Sequence, residues 1–272
     1  MRVLKYMVIV TGIVLVAACS NKISDKSTTN RVPVQLRVMS YNVHHCNPPS
    51  KPGLIDVDGI AKTINGQHPD LVALQEIDVE TIRSGRINEA ALLAEKTGMK
   101  VYFAKAIDHD GGYYGVAILS KYPVSQMKTY KLPTEMSTKG EPRVLATARI
   151  SMPNGKKILF ANTHLDAQKA SVNRMLQMAE INRLTDLQTM PFILAGDLNA
   201  RPGSPEIDLL DTKFIRTCVD CAFTIPVVNP KSTIDHIAFP RKSNFKIISH
   251  EVIPERYASD HLPVLAIVEI AP

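Results

Sequence analysis

Residues 193–202 have the sequence ILAGDLNARP, in which a short apolar run ends in a carboxylate and a carboxamide. The apolar run predicts a buried β-strand, and Gly196 and Pro202 favour a turn at its end. Asp197 and Asn199 would then leave the same edge of a sheet. A turn can use both residue types for backbone hydrogen bonds, and a catalytic site can also need both. The rest of the chain has to discriminate between these explanations.

Other apolar runs also deliver a polar side chain to a strand end or an adjacent loop. Taken singly, each such residue is explained by a turn, a cap, a solvated strand end or a hydrogen-bonded core histidine. Together they form a set of oxygen and nitrogen donors. Hard divalent cations such as Mg²⁺ prefer carboxylate and carboxamide oxygens, and imidazoles transfer protons. The residues are Asn42, Glu76, His164, Asp197, Asn199, Asp235, Asp260 and His261.

Strand-like and helix-like segments alternate along the chain. Amphipathic helices are predicted near residues 57–64, 87–94, 172–187 and 205–210, the first capped by Asp56. Strands are predicted at 36–43, 70–76, 101–106, 114–120, 124–131, 143–150, 157–163, 191–195, 233–239, 245–253 and 263–270. Asn154-Gly155 predicts a hairpin turn. About a dozen strands exceed what one sheet usually holds, so we expect two packed sheets with helices on the outer faces.

The N-terminal segment predicts export. Arg2 and Lys5 lie in a short basic start, which a roughly twelve-residue apolar core follows. Small residues then precede Cys19. This pattern resembles the bacterial lipobox, in which the Cys is acylated and the preceding segment is removed. The alternative is an ordinary signal peptide with a nearby Cys. We therefore expect a signal peptide at 1–18, a polar tether at 19–35 and a domain at 36–272, anchored to the periplasmic or surface face of the envelope.

Composition gives weaker constraints. The 272 residues are 45% hydrophobic and 21% charged, which is typical of a globular chain of one large or two small domains. No apolar run is long enough for an ordinary transmembrane helix. Removal of residues 1–18 would lower the formal charge from +6 by two, to +4, because Arg2 and Lys5 leave and no acid does. This scattered basic charge is compatible with a phosphate-bearing substrate but marks no nucleic-acid groove.

The cysteines beyond the export segment leave two alternatives open. Cys218 and Cys221 are spaced for a local disulfide, which an exported compartment permits, or they are free thiols, and Cys46 stays unpaired. The spacing also resembles half of a zinc site, but no second Cys pair completes one.

Seven segments occur in the order and spacing of a known superfamily. They are MSYNV, LQEID, GVAILSKYP, NTHLD, GDLNARP, TIDHI and SDHLPV. The chain resembles the endonuclease/exonuclease/phosphatase superfamily, which includes pancreatic-type deoxyribonuclease, bacterial sphingomyelinases and inositol polyphosphate 5-phosphatases. The resemblance covers about residues 36–270 and implies a four-layer α/β sandwich, with two packed mixed β-sheets flanked by helices.

The resemblance also implies roles for matched positions. Asn42, Glu76 and Asp260 would surround a catalytic Mg²⁺, with Mn²⁺ as an alternative. Asp197 and Asn199 would orient the attacking water and the scissile phosphate. His164 would contact the phosphate or protonate the leaving oxygen, and Asp235 would fix the tautomer of His261 in a catalytic dyad. Whether Asp197 or His261 accepts the proton of the water stays open.

Several further residues are weaker candidates. Arg143 is a phosphate contact or a surface arginine, and Arg83 and Ser84 lie in a loop near the predicted rim. Residues 110–115 predict a flexible loop before a strand, from which Tyr113 or Tyr114 would face the cleft. Arg174 and Gln177 are predicted to be structural. His44, His45 and His236 are left out of the site, and His236 should point away from Asp235 because side chains alternate along a strand.

The expected function is metal-dependent hydrolysis of a phosphodiester or phosphomonoester, with water attacking in line with the leaving oxygen. The substrate would be a nucleic acid, a phospholipid headgroup or a small phosphorylated metabolite. These alternatives stay open because the near-minimal domain has no long insertion that specifies one substrate. We expect a monomer that contacts the membrane through its N-terminal lipid. The alternative is a surface binding lipoprotein that keeps the fold without turnover.

Overall fold

The computed structural model describes residues 33–270. The predicted signal peptide and residues 19–32 of the predicted tether lie outside the described residues. The first strand begins at Val34, just inside the segment predicted as tether. Among residues 33–270, no helix has the length and apolar character needed to cross a membrane.

Within residues 33–270, twelve strands form two six-stranded sheets. The first sheet contains β1 (Val34–Asn42), β2 (Leu71–Val79), β3 (Lys100–His109), β4 (Gly112–Ser120), β11 (Phe245–Val252) and β12 (Val264–Ile270), in the order β11-β12-β1-β2-β4-β3. The second contains β5 (Val124–Lys131), β6 (Val144–Ser151), β7 (Lys157–His164), β8 (Phe192–Asp197), β9 (Phe214–Arg216) and β10 (Asp235–Pro240), in the order β5-β6-β7-β8-β10-β9. Both sheets are mixed, because β1–β2 and β7–β8 are parallel pairs.

The described part of the chain has four α-helices, which cover the outer faces of the sheets. Helices α1 (Val57–Gln67) and α2 (Glu89–Thr97) share a core cluster with the first sheet, and α3 (Val172–Asp186) and α4 (Pro205–Asp211) share one with the second. Asp56 caps α1 as predicted, because its carboxylate accepts the backbone N–H of Gly59. The predicted four-layer α/β sandwich is confirmed.

Strand alternation divides the core into three layers. On β1, Leu36 and Val38 join the layer between the sheets, whereas Met39 and Tyr41 join the layer under the helices. On β8, Ile193 and Ala195 likewise face the other sheet, whereas Leu194 faces the helices. The two sheets therefore share an apolar layer made from alternate residues of their strands.

Three local features test the sequence prediction. The three-residue strand β9 was not predicted, because so short a segment has no detectable period. Tyr113 and Tyr114 lie on β4 and pair with β3 and β2, so the predicted flexible loop before this strand is wrong. The hairpin predicted at Asn154-Gly155 is confirmed, since β6 and β7 are antiparallel neighbours.

The junction between β2 and α2 buries an acidic side chain. Glu89 accepts the backbone N–H of Asp78 at 2.9 Å, and its other carboxylate oxygen has no hydrogen-bond partner. Burial and the neighbouring Asp78 carboxylate raise the pKa of Glu89 to about 8. Arg83 neutralises Asp78 through two hydrogen bonds of 2.6 and 2.9 Å.

Replacing Glu89 by Gln is expected to flatten the pH dependence of stability between about pH 4.5 and 8. The folded chain holds a proton there that the unfolded chain releases, so this group's contribution to stability falls as pH rises through the window. Gln keeps an acceptor for Asp78 N–H and does not ionise. Urea unfolding across the window measures the slope. A Glu95→Gln control, exposed on the same helix, should keep the wild-type slope. An equally steep slope in Glu89→Gln would contradict this account.

Candidate active site

The layer between the sheets becomes polar at one end. His164 on β7 and Asp235 on β10 are both register partners of Asp197 on β8, so their side chains lie side by side on one face. Asn42 ends the inward-facing row of β1 that begins with Leu36 and Val38. The same alternation that builds the apolar layer thus delivers four polar side chains to its edge.

Asp197 lies at the centre of this polar cluster. Its Oδ2 atom accepts the Nδ2–H of Asn42 at 3.1 Å and lies 3.5 Å from His164 Nε2 and 3.7 Å from His261 Nε2. Its Oδ1 atom accepts the backbone N–H of Asn199 at 2.8 Å. Burial and the nearby Asp235 carboxylate raise the pKa of Asp197 to about 7, against the opposing effect of His261. The carboxylate is poised to exchange a proton near neutral pH.

Asp235 and His261 form a buried dyad. Asp235 Oδ2 and His261 Nδ1 are 2.9 Å apart, and both side chains are buried. Burial alone would lower the pKa of His261, but the Asp235 carboxylate, helped by Asp197 and Asp260, raises it to about 10. The imidazole is therefore protonated at neutral pH, so Nδ1 donates to Asp235 and Nε2 carries a proton that faces Asp197 at 3.7 Å. Ser259 fixes the loop that carries His261, since its hydroxyl donates to the Asn42 carbonyl at 2.7 Å.

His164 has a different protonation state. Arg143 Nη1 lies 3.2 Å from His164 Nδ1. A guanidinium only donates, so Nδ1 accepts and the ring proton resides on Nε2, which faces Asp197. Burial and the Arg143 charge hold the pKa of His164 well below its usual range. His164 is therefore a neutral hydrogen-bond donor.

The sequence leaves Arg143 as a phosphate contact or a surface arginine. The surface alternative is wrong, because the side chain is buried and its Nη1 also lies 3.0 Å from Glu141. Its contact with His164, which ends the neighbouring strand β7, could not be inferred from the sequence. Arg143 therefore holds the His164 ring through Nδ1, while Nε2 of the ring faces Asp197.

Glu76 occupies an irregular position on β2. The pairing of β2 with β4 slips between Leu74 and Ile77, and Glu76 has a φ of 58°. Asn42 Nδ2 donates to Glu76 Oε1 at 3.0 Å. Burial alone would raise the pKa of Glu76, but His45, His164 and Asn42 together hold it well below its usual range. Glu76 is thus an ionised carboxylate whose side chain is 22% exposed.

His45 is not among the predicted site residues, yet its Nδ1 lies 3.8 Å from Glu76 Oε2. The short 3₁₀ turn His44–Cys46 produces this approach, and all three of its residues have positive φ. No sequence signal identifies such a turn, because non-glycine residues rarely adopt this conformation.

Two predicted site residues lie at the margin of the cluster. Asn199 donates from Nδ2 to the carbonyl of Leu165 at 3.0 Å, so its amide is partly used by the neighbouring loop. Asp260 is half-buried, and its Oδ1 lies 3.4 Å from Ser259 Oγ. Its charge acts on His261.

Gly196 and Asn199 shape the turn after β8. A Cβ atom at Gly196 would collide with the carbonyl oxygen of Thr163 on β7, so only glycine allows this close approach. Asn199 has a φ of 47°, a conformation that asparagine tolerates better than most residues. The segment after β8 therefore satisfies the geometry of a tight turn and also places Asp197 and Asn199 in the candidate site.

Arg174 and Gln177 are structural, in agreement with prediction. Gln177 accepts the backbone N–H of Asp166 at 3.0 Å, and Arg174 donates to the Asp166 carbonyl at 3.0 Å and to Glu206 at 2.9 Å. These contacts fix the loop that follows His164.

Within the polar cluster, both the dyad and Glu76 offer metal ligands. Ligand atoms of Asp197, Asp235 and His261 lie within 4.8 Å of one another. A protonated imidazole cannot ligate, however, and His261 is already hydrogen-bonded to Asp235. Glu76 is ionised and reachable from solvent, and hard cations favour such oxygen donors together with water. The donor chemistry around Glu76 therefore fits Mg²⁺ better than the dyad does.

A model of the endonuclease/exonuclease/phosphatase family matches residues 39–261. The chain belongs to this family. Its members are hydrolases that act on phosphoester bonds, and the predicted family is confirmed. The sequence has no significant match among curated proteins.

Solved structures share the fold at low identity. A family protein from Bacteroides thetaiotaomicron has a TM-score of 0.73 and 18% identity, over 88% of this chain and 99% of that chain. A mannosyl-6-phosphatase from the same organism has a TM-score of 0.68 and 18% identity, over 86% and 99%. The human nocturnin catalytic domain with bound sulfate has a TM-score of 0.67 and 20% identity, over 86% and 93%. At these identities the likeness shows the fold alone.

Proposed function

We propose that the chain is a divalent-metal-dependent phosphoesterase in which water attacks a phosphoester in line with its leaving oxygen. The observation that carries the proposal is the convergence of Asn42, His164 and the Asp235–His261 dyad on one buried carboxylate, that of Asp197. A binding protein would not need this costly set of buried titratable groups, because each of them is desolvated.

Asp197 is the best candidate to orient the attacking water and accept its proton. His261 is held as an imidazolium by Asp235, so it has no free nitrogen lone pair for that task. His261 and the neutral His164 can both donate hydrogen bonds from Nε2. Charge that develops on the phosphoryl oxygens would be stabilised by these fixed donors. Asn199 would position the phosphate through its remaining amide atoms.

Glu76, with Asn42 and Asp260, would hold a divalent metal ion, Mg²⁺ or alternatively Mn²⁺. When bound, such an ion stabilises negative charge on a phosphoryl oxygen and orients the substrate. Asn42 already bridges Glu76 and Asp197 through one Nδ2 atom, at 3.0 and 3.1 Å, so the metal-binding and water-orienting carboxylates are held in fixed relation.

Replacing Glu76 by Gln is expected to abolish the response of activity to Mg²⁺ and Mn²⁺, because an amide binds hard cations more weakly than a carboxylate does. Hydrolysis of bis-p-nitrophenyl phosphate and p-nitrophenyl phosphate at increasing metal concentration measures this response. EDTA should abolish the activity of the wild type, and added Mg²⁺ or Mn²⁺ should restore that activity. A Glu80→Gln variant, exposed at the end of the same strand segment, is the matched control. Wild-type metal dependence in Glu76→Gln would exclude Glu76 as a ligand.

The substrate class is a phosphate ester of a small metabolite, a phospholipid headgroup or a nucleic acid. Two similar structures, named as a mannosyl-6-phosphatase and as nocturnin with a bound sulfate, support a site for a tetrahedral oxyanion. A panel of sugar phosphates, inositol phosphates, sphingomyelin, plasmid DNA and RNA, each with an EDTA control, would rank these substrates. Hydrolysis of none of them would contradict the proposal.

The proposed location is the bacterial envelope, through a lipid on Cys19. The apolar segment and the small residues before Cys19 support this. Cells fed an alkyne-tagged fatty acid should label the wild-type protein and leave a Cys19→Ala variant unlabelled. An unlabelled wild-type protein would contradict lipid anchoring without bearing on the catalytic proposal.

A further inference from the structure

Two sulfur atoms and one ring nitrogen meet at the edge of the sandwich. Cys218 and Cys221 lie in the loop that follows β9 and form a disulfide. His250 lies on β11. Both sulfurs and one ring nitrogen of His250 lie within 4.8 Å of one another. Because β9 and β11 are edge strands of different sheets, this cluster joins the two sheets.

Thr217 fixes the tautomer of His250. The hydroxyl of Thr217 lies 3.1 Å from the carbonyl oxygen of Ile237, to which it donates. The same Oγ1 atom lies 2.8 Å from His250 Nδ1. A hydroxyl has one proton, and that proton is directed to the carbonyl, so Oγ1 accepts the Nδ1–H of the ring. The lone pair of His250 therefore resides on Nε2.

The Nε2 atom of His250 is buried and has no hydrogen-bond partner. Burial lowers the pKa of His250 to about 4, so the ring is neutral at physiological pH. A buried nitrogen lone pair without a donor costs free energy, and such an atom calls for an explanation. A neutral imidazole held through its other nitrogen is also the arrangement found in metal sites.

We propose that, once the disulfide is reduced, the chain binds one thiophilic divalent cation of the Zn²⁺ class through Cys218 Sγ, Cys221 Sγ and His250 Nε2. Two thiolates and one imidazole are ligands that Zn²⁺ prefers, in contrast to the oxygen donors around Glu76. The Cys-x-x-Cys spacing, with 5.7 Å between the Cα atoms, allows both sulfurs to reach one ion. The fourth position would be left to solvent.

The two states of this cluster exclude each other. An external dithiol opens the disulfide by exchange: it supplies two electrons and two protons, becomes a disulfide itself, and leaves Cys218 and Cys221 as thiols. Binding of the cation then replaces the two thiol protons, which are released to solvent. The disulfide closes the loop on itself, whereas the metal also fastens it to β11 through His250.

The loop that carries the two cysteines also supports the acidic site. Farther along this loop, the Thr224 carbonyl accepts the backbone N–H of Leu262 at 2.8 Å. Val227 donates its backbone N–H to the Asp260 carbonyl at 2.8 Å. A metal that ties the loop to β11 would therefore stabilise the segment that presents Asp260 and His261.

Titration of the purified protein with Co²⁺ tests the site, because thiolate ligands give Co²⁺ a charge-transfer absorption that oxygen ligands do not. We expect one equivalent of Co²⁺ to produce this absorption once the disulfide has been reduced with a phosphine. The phosphine is removed under anaerobic conditions before the titration. The oxidised protein should give none. Zn²⁺ should displace the Co²⁺, and X-ray absorption of the zinc complex should show two sulfur ligands at about 2.3 Å and nitrogen at about 2.0 Å.

Variants separate this site from the acidic one. Cys218→Ser with Cys221→Ser should lose the absorption, and His250→Ala should weaken binding by at least about 10-fold. Thr217→Val, which removes the hydroxyl and with it the hydrogen bonds to the His250 ring and to the Ile237 carbonyl, should weaken it by about 10–100-fold. Glu76→Gln should bind Co²⁺ at the thiolates like the wild type. No thiolate absorption in the reduced wild type, or undiminished affinity in a folded His250→Ala variant, would overturn the proposal.

Discussion

Replacing Asp197 by Asn is expected to lower kcat by about 10²–10⁴-fold while the protein stays folded. Asp197 Oδ2 faces donors from Asn42, His164 and His261, and Oδ1 accepts the backbone N–H of Asn199. An amide has only one oxygen, so its NH₂ group must face a donor in either orientation. The variant therefore loses both the charge and the acceptor that the site is built around.

Steady-state kinetics with bis-p-nitrophenyl phosphate measure this loss, and thermal unfolding checks the fold. Asp208→Asn is the matched control, because Asp208 is an exposed carboxylate on the nearby helix α4. It should retain wild-type kcat and stability. Activity of Asp197→Asn within a few-fold of the wild type would remove Asp197 from the catalytic assignment.

Replacing Asp235 by Asn is expected to reduce kcat by a similar factor of about 10²–10⁴, for a different reason. The carboxylate favours the protonated form of His261 through a 2.9 Å contact. An amide can accept the same hydrogen bond but carries no charge, so the pKa of His261 should fall. The other oxygen of Asp235 is buried without a partner, and in the variant an unpaired amide group would lie there.

The dyad predicts that losses in Asp235→Asn and His261→Ala are not additive. The double variant should be about as slow as His261→Ala alone, because residues that act as a unit fail together. NMR titration of the ring should show the lower pKa of His261 in Asp235→Asn. Asp211→Asn, which breaks an ion pair with Arg216 outside the site, should change stability and leave kcat unchanged. Additive losses would contradict the dyad.

Hydrophobic alternation made much of the fold predictable. The segment 157–163 was predicted as a strand, and β7 spans Lys157–His164. The strand before Asp197 was predicted at 191–195, whereas β8 spans Phe192–Asp197, so Asp197 ends the strand and does not follow it. This difference matters, because Asp197 then keeps the inward orientation of Ile193 and Ala195. β9 was missed because its existence depends on pairing with β10.

The site was predictable where strand ends deliver side chains, and less so where loops do. Asn42, Glu76 and His164 follow apolar runs, and the matched segments around them indicate one common edge. Asp260 and His261 precede their strand, and only the resemblance assigned them roles. The contact of His45 with Glu76 depends on a turn with positive φ, and the contact of Arg143 with His164 depends on the register between the adjacent strands β6 and β7. Sequence spacing contains no signal for the turn and does not fix the register.

The most direct test of the central claim is release of p-nitrophenol from bis-p-nitrophenyl phosphate and p-nitrophenyl phosphate by the purified protein. We predict turnover of at least one substrate in Mg²⁺ or Mn²⁺, none in EDTA, and nearly none from folded Asp197→Asn. No turnover by the wild-type protein with either metal, or equal turnover by wild type and variant, would contradict a phosphoesterase site centred on Asp197.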